Sequence, residues 1–80
     1  MNHKVSSKVV RFWNKVTWYI NHEYPDYFKF FEGSYINQRE HFDKLWDMVY
    51  GYYLGGNNAE DTAGFMVEYL KLLADETDQA

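Results

Sequence analysis

An all-α fold, a small compact bundle of three long helices plus one short aromatic-rich helix, is predicted by three features of this sequence. Large side chains recur at helical spacing in FDKLWDMVYGYYL, where Phe42, Leu45, Trp46, Val49, Tyr52 and Tyr53 fall at i, i+3, i+4, i+7, i+10 and i+11 and mark a single apolar stripe. Turn signals are concentrated at Tyr24-Pro25, Gly33 and Gly55-Gly56-Asn57. The remaining segments carry apolar faces of their own that can cover the stripe. The 80 residues make one domain, 1–80, with 1–5 and 75–80 expected to fray.

The first helix is predicted to start at Ser6 or Ser7, whose hydroxyls can accept from free N–H groups, and to run to about His22. Val9, Phe12, Trp13, Val16, Tyr19 and Ile20 form its inward face. Its other side reads Lys4, Lys8, Arg11, Lys15, Trp18 and His22, a basic stripe ending in an indole. One reading is a solvated face whose ammonium groups lie near the acidic remainder of the chain. The other is a phosphate-facing or acid-facing helix in which Trp18 stacks or anchors.

Pro25 disfavours helical conformation at Tyr24 and suits the first turn of a new helix. A short second helix therefore spans Asp26 to about Glu32, closed by Gly33 in the left-handed conformation. Tyr24, Tyr27, Phe28, Phe30, Phe31 and Tyr35 are too many rings for one face of two helical turns. Part of the set is expected to plug the end of the core and part to be exposed.

Asn37 and Glu40 have the spacing of a capping box, with Ile36 as the start of a hydrophobic staple, so the third helix is predicted over Gln38–Leu54. Its outer face carries Glu40, Asp43 and Asp47, an acidic stripe only partly relieved by Lys44. Asn58 is placed to cap the fourth helix, Ala59 to Ala74, with Glu60 and Asp61 in its first turn. The apolar arc of that helix is wider than one neighbour requires. Either it is the central element, or Phe65, Tyr69 and Leu72 face a second copy in a homodimer. The expected core is Trp13, Val16, Ile20, Leu45, Trp46, Val49, Met66, Leu70 and Leu73.

Composition excludes several chemistries. There is no cysteine, hence no disulfide, thiolate nucleophile or zinc-thiolate site. Aromatic bulk, 3 Trp, 8 Tyr and 6 Phe, takes the place of a covalent staple, and in so small a domain some rings should remain exposed. Ser6, Ser7 and Ser34 sit at caps or turns without a paired base. His3, His22 and His41 lack metal-ligand spacing and are expected at the surface. Asp43 and Asp47, one turn apart, have no Glu-x-x-His partner. Gly55-Gly56 lacks the lysine and hydroxyl of a P-loop. No metal or cofactor is expected, and the chain is read as not an enzyme.

Charge is uneven. Residues 1–22 hold four bases and no acid; all 12 acids and the other four of the 8 bases lie in 23–80, so the segments carry +4 and −8 of the net −4. A helix-turn-helix built on the Gly-Gly turn would put Asn58-Ala59-Glu60-Asp61 against phosphates, which argues against DNA reading by that pair. The start MNHKVSSKVVRFW has no apolar signal core, and no apolar run approaches the ~18 residues of a membrane span, so a soluble cytoplasmic protein is expected. The resulting expectation is a protein-protein interaction module: a small regulator, adaptor or inhibitor of a macromolecular partner. In one version Glu40, Asp43 and Asp47 mimic nucleic acid, as an inhibitor from a mobile element would. The alternative is weak, sequence-independent nucleic-acid binding through Lys4, Lys8, Arg11, Lys15 and Trp18.

Overall fold

The computed structural model describes residues 7–78, which form helix α1 (Ser7–Glu23), a 310 segment (Pro25–Phe31), α2 (Gly33–Ile36), α3 (Arg39–Leu54) and α4 (Ala59–Asp78). No strand occurs among the described residues. Lys4, His3, Ser6 and, of the ends 1–5 and 75–80 expected to fray, residues 1–5 and 79–80 lie outside them. Within them α4 continues four residues past Ala74, to Asp78.

The long helices associate through the faces their spacing defines. Val9, Val16 and Ile20 of α1, Leu45 and Val49 of α3, and Ala59, Ala63, Met66, Val67 and Leu70 of α4 are buried. The α4 arc is wide because this helix is the central element, packed against α1, α3 and the 310 segment, with its most extensive contact to α1. Thr62, the buried polar residue of α4 among those whose burial is described, is satisfied where the hydroxyl donates to the Asn58 carbonyl oxygen at 2.8 Å.

Three members of the expected core, Trp13, Trp46 and Leu73, are only half-buried. The two indoles lie 5.2 Å apart, and Trp13 also meets Phe31 and Phe42 at 5.7 Å. Flat rings of this size close the seam between α1 and α3 from outside. The fully buried aromatic is Phe30, from the 310 segment.

Tyr24 leaves the helical conformation at φ −137°, ψ 56°, in line with the bias of the following proline against αR. The next segment winds as a 310 helix rather than an α-helix, and ring packing supplies a reason. At three residues per turn, i and i+3 eclipse, so Tyr24, Tyr27 and Phe30 align in one row and Phe28 and Phe31 in another, their rings 6.4 Å apart. Two rows pack where one α-helical face could not: Phe30 and Phe31 are buried, and Tyr24, Tyr27, Phe28 and Tyr35 are half-buried against the core. None of the six is left exposed.

Gly33 is left-handed (φ 61°) as expected, and the chain then makes the unpredicted turn α2. Asn37 ends that turn in αR conformation, φ −80°, ψ −9°. It therefore cannot take the extended conformation of an N-cap, and the predicted capping box with Glu40 does not form. Gln38 occupies the N-cap position, with no side-chain hydrogen bond to the helix. The other end of α3 closes in a Schellman arrangement: Asn57 N donates to Tyr52 O at 3.1 Å and Gly56 N to Tyr53 O at 3.1 Å, with Gly56 at φ 83°. Asn58 caps α4 through its Oδ1, which accepts from Asp61 N at 2.7 Å.

Candidate functional site

On α3 the buried Leu45 and Val49 lie opposite an outward stripe. Glu40, Asp43 and Asp47 are all exposed there. The same stripe continues through two apolar residues, Tyr50 (42% exposed) and Leu54 (65%). Asp43, Asp47, Tyr50 and Leu54 follow at i, i+4, i+7 and i+11, one line about 16 Å long at about 1.5 Å per residue. Arg39 Nε approaches Asp43 Oδ2 at 3.8 Å, but both side chains are solvated, where such pairs contribute little. Lys44 does not relieve the stripe. Its ammonium sits 5.7 Å from the Tyr69 ring centroid, turned toward α4. Tyr50 and Leu54 were legible at the spacing of the acids, yet as apolar residues they are easily assigned inward.

Helix α1 presents the opposite charge. Lys8, Arg11 and Lys15 are exposed, on the side away from Val9, Val16 and Ile20. Among the described residues, ion pairs within 4 Å join Arg39 to Asp43 and Lys71 to Glu68, and none engages these three cations. They edge a shallow groove shared with Phe12 and Tyr53, whose ring centroids are 5.3 Å apart. Trp18, 53% exposed, prolongs the row. Its indole stacks on His22 at 3.9 Å and 24°, meets Tyr19 edge-on at 5.0 Å, and is backed by His22 Nδ1–H donating to its own carbonyl oxygen at 2.9 Å. Helical spacing by itself puts Tyr53 in the core stripe; only the approach of α1 to the end of α3 brings it beside the cations.

The α4 trio divides. Phe65 is exposed but stacked on Tyr52 at 5.1 Å, Leu72 is exposed, and Tyr69 is half-buried against the core beneath Lys44. A second acidic region lies where α1 ends and α4 begins: Glu23, Glu60, Asp61 and Glu68 surround a shallow groove with Tyr24 and Phe65. Partial desolvation, then a hydrogen bond and charge repulsion from Glu60, push the Glu23 carboxyl above its ordinary value. Residues 37 positions apart in sequence gave no sign of this meeting. No group of three or more histidine or acidic side chains among the described residues is arranged to hold a metal ion.

His41, expected at the surface, is half-buried beside Phe30 and Tyr35, and Nε2–H donates to the Phe30 carbonyl oxygen at 2.9 Å. Both described histidines thus engage backbone carbonyls rather than a serine or a carboxylate. Comparison with family models, with curated proteins and with solved structures finds no match, so the surface is read from its own geometry.

Proposed function

We propose that this protein is a non-enzymatic binding module that acts by occupying a basic surface of a protein partner through the outward stripe of α3. The observation that carries the reading is the continuity of Glu40, Asp43 and Asp47 with the exposed Tyr50 and Leu54 on one face. Carboxylates arranged in a row orient an approaching cationic surface and raise its on-rate, whereas an aromatic and a leucine supply the desolvated contact that holds it. A partner of matching chemistry has an apolar pocket flanked by lysine or arginine. The nucleic-acid-binding face of a DNA- or RNA-handling enzyme has that chemistry, and the module would then be a regulator or inhibitor that stands in for the polyanion.

The test is affinity capture from the native host with the wild-type chain and two variants. Asp43→Lys with Asp47→Lys, and separately Leu54→Asp, are expected to lose the captured partner while leaving the helical circular dichroism unchanged. A partner retained undiminished by both variants ends this reading. Homodimerisation belongs to the same proposal as a second interaction, through the exposed Phe65 and Leu72 of α4, with Tyr69 packed against the core of its own chain. Sedimentation at increasing concentration, compared with Leu72→Glu, decides it: a strict monomer in the high micromolar range removes it.

A further inference from the structure

The basic side of α1 carries features that the α3 stripe does not use. Its three cations face outward without ion-pair partners among the described residues, and residues 7–22 contain no acid. Two ring pairs stand beside them. Phe12 and Tyr53 share the groove edged by Lys8, Arg11 and Lys15, and Trp18 with His22 stands beyond Lys15 on the same face. From Lys8 to Trp18 the helix advances about 15 Å. Trp18 is held in place by the His22 stack and the Tyr19 edge and still exposes half its surface, so little ordering entropy opposes its use as a platform.

We propose that this face binds single-stranded nucleic acid, with Lys8, Arg11 and Lys15 on successive phosphates and with bases laid against Tyr53 and Trp18. Charge complementarity selects a polyanion, and the exposed indole of Trp18, with the half-buried Tyr53 ring at the groove edge, selects one whose bases are unstacked. A duplex hides its base faces, and an acidic peptide offers no flat partners to the indole. The three cations are assigned to phosphates rather than to base edges, so binding is indifferent to sequence. The chain's net charge of −4 opposes approach, which keeps affinity low and confines binding to low salt. The site takes only Tyr53 from α3 and none of the residues of its outward stripe, and neither proposal depends on the other.

Fluorescence anisotropy of a labelled oligothymidylate, titrated with the full chain at several low salt concentrations, tests it. Three phosphate contacts predict a log-log salt slope of about −2 on a single strand, and Arg11→Gln or Lys15→Gln should each flatten it by about 0.7. Trp18→Ala should weaken binding about five- to 140-fold at unchanged slope, the range for one lost stacking partner, and Trp18→Phe should restore most of it. Asp43→Lys with Asp47→Lys should not weaken it, which separates this result from the fate of the α3 reading. All of these positions are exposed, and thermal melts confirm that the variants fold. Absence of binding at the lowest salt overturns the proposal. Equal affinity for duplex overturns it too. Binding that tolerates Trp18→Ala and is displaced equally well by polyglutamate reassigns the face to an acidic protein segment.

Discussion

The Nε2–H of His41 donates to the carbonyl oxygen of Phe30 at 2.9 Å, fixing the 310 segment to α3 across 11 residues of chain. Phe30 is also the largest fully buried side chain, and its ring meets Tyr35 edge-on at 4.9 Å. The aromatic segment is therefore held at its centre by one buried ring and one hydrogen bond. Replacing His41 with phenylalanine keeps a ring but removes the donor, leaving a partly buried carbonyl without its partner. Urea unfolding should show a loss of about 1–2 kcal/mol. An unchanged midpoint would mean that water replaces the imidazole at no cost.

Burial ranks two aromatic deletions in an order that helical spacing does not give. Phe30→Ala removes a fully buried ring and should cost about 3–5 kcal/mol. Trp46→Ala removes a half-buried indole from the rim of the α1–α3 seam, so it should cost clearly less, despite the larger side chain. Denaturant midpoints in the reverse order would place the centre of the core at Trp46.

Two glycines at the end of α3 should respond with opposite sign. Gly51 lies inside the helix with open space where a methyl group would go, and Gly51→Ala should stabilise by up to about 1 kcal/mol. Gly56 holds φ 83°, which an L side chain rarely adopts, so Gly56→Ala should destabilise by about 1 kcal/mol even though no atom obstructs it. Thermal melts of the pair check the assignment. Two shifts of the same sign would contradict the Schellman closure.

Glu23 provides a pH-dependent test. Its folded-state pKa is raised, by partial desolvation and by Glu60, so its contribution to stability is complete below the ordinary glutamate value and disappears as pH rises through the folded value. Glu23 also stands at the C-terminal end of α1, where a negative charge is unfavourable. Glu23→Gln should melt above wild type at neutral pH and approach it on acidification. A gap that persists unchanged at acid pH would remove the charge from the explanation.

Sequence periodicity determined the three long helices, their inward faces and their principal stop signals, because those depend on interactions within about four residues. Val16, Ile20, Leu45, Val49, Met66 and Leu70 are buried where spacing puts them, and Gly33, Gly56 and Asn58 act as their local chemistry requires. The two charged stripes were legible for the same reason, since each lies on one helix. The tertiary structure decided which rings seal the core and which edge it. Phe30 entered the centre because 310 winding aligns it in a row with Tyr24 and Tyr27, while Trp46 stayed at a rim formed by two helices. It also brought Tyr53 beside Lys8, Arg11 and Lys15, set Glu23 against Glu60, and turned Lys44 from the acidic stripe to Tyr69. Each of these pairings joins separate elements whose relative placement is fixed by packing of the whole core, and no periodicity within one element encodes it.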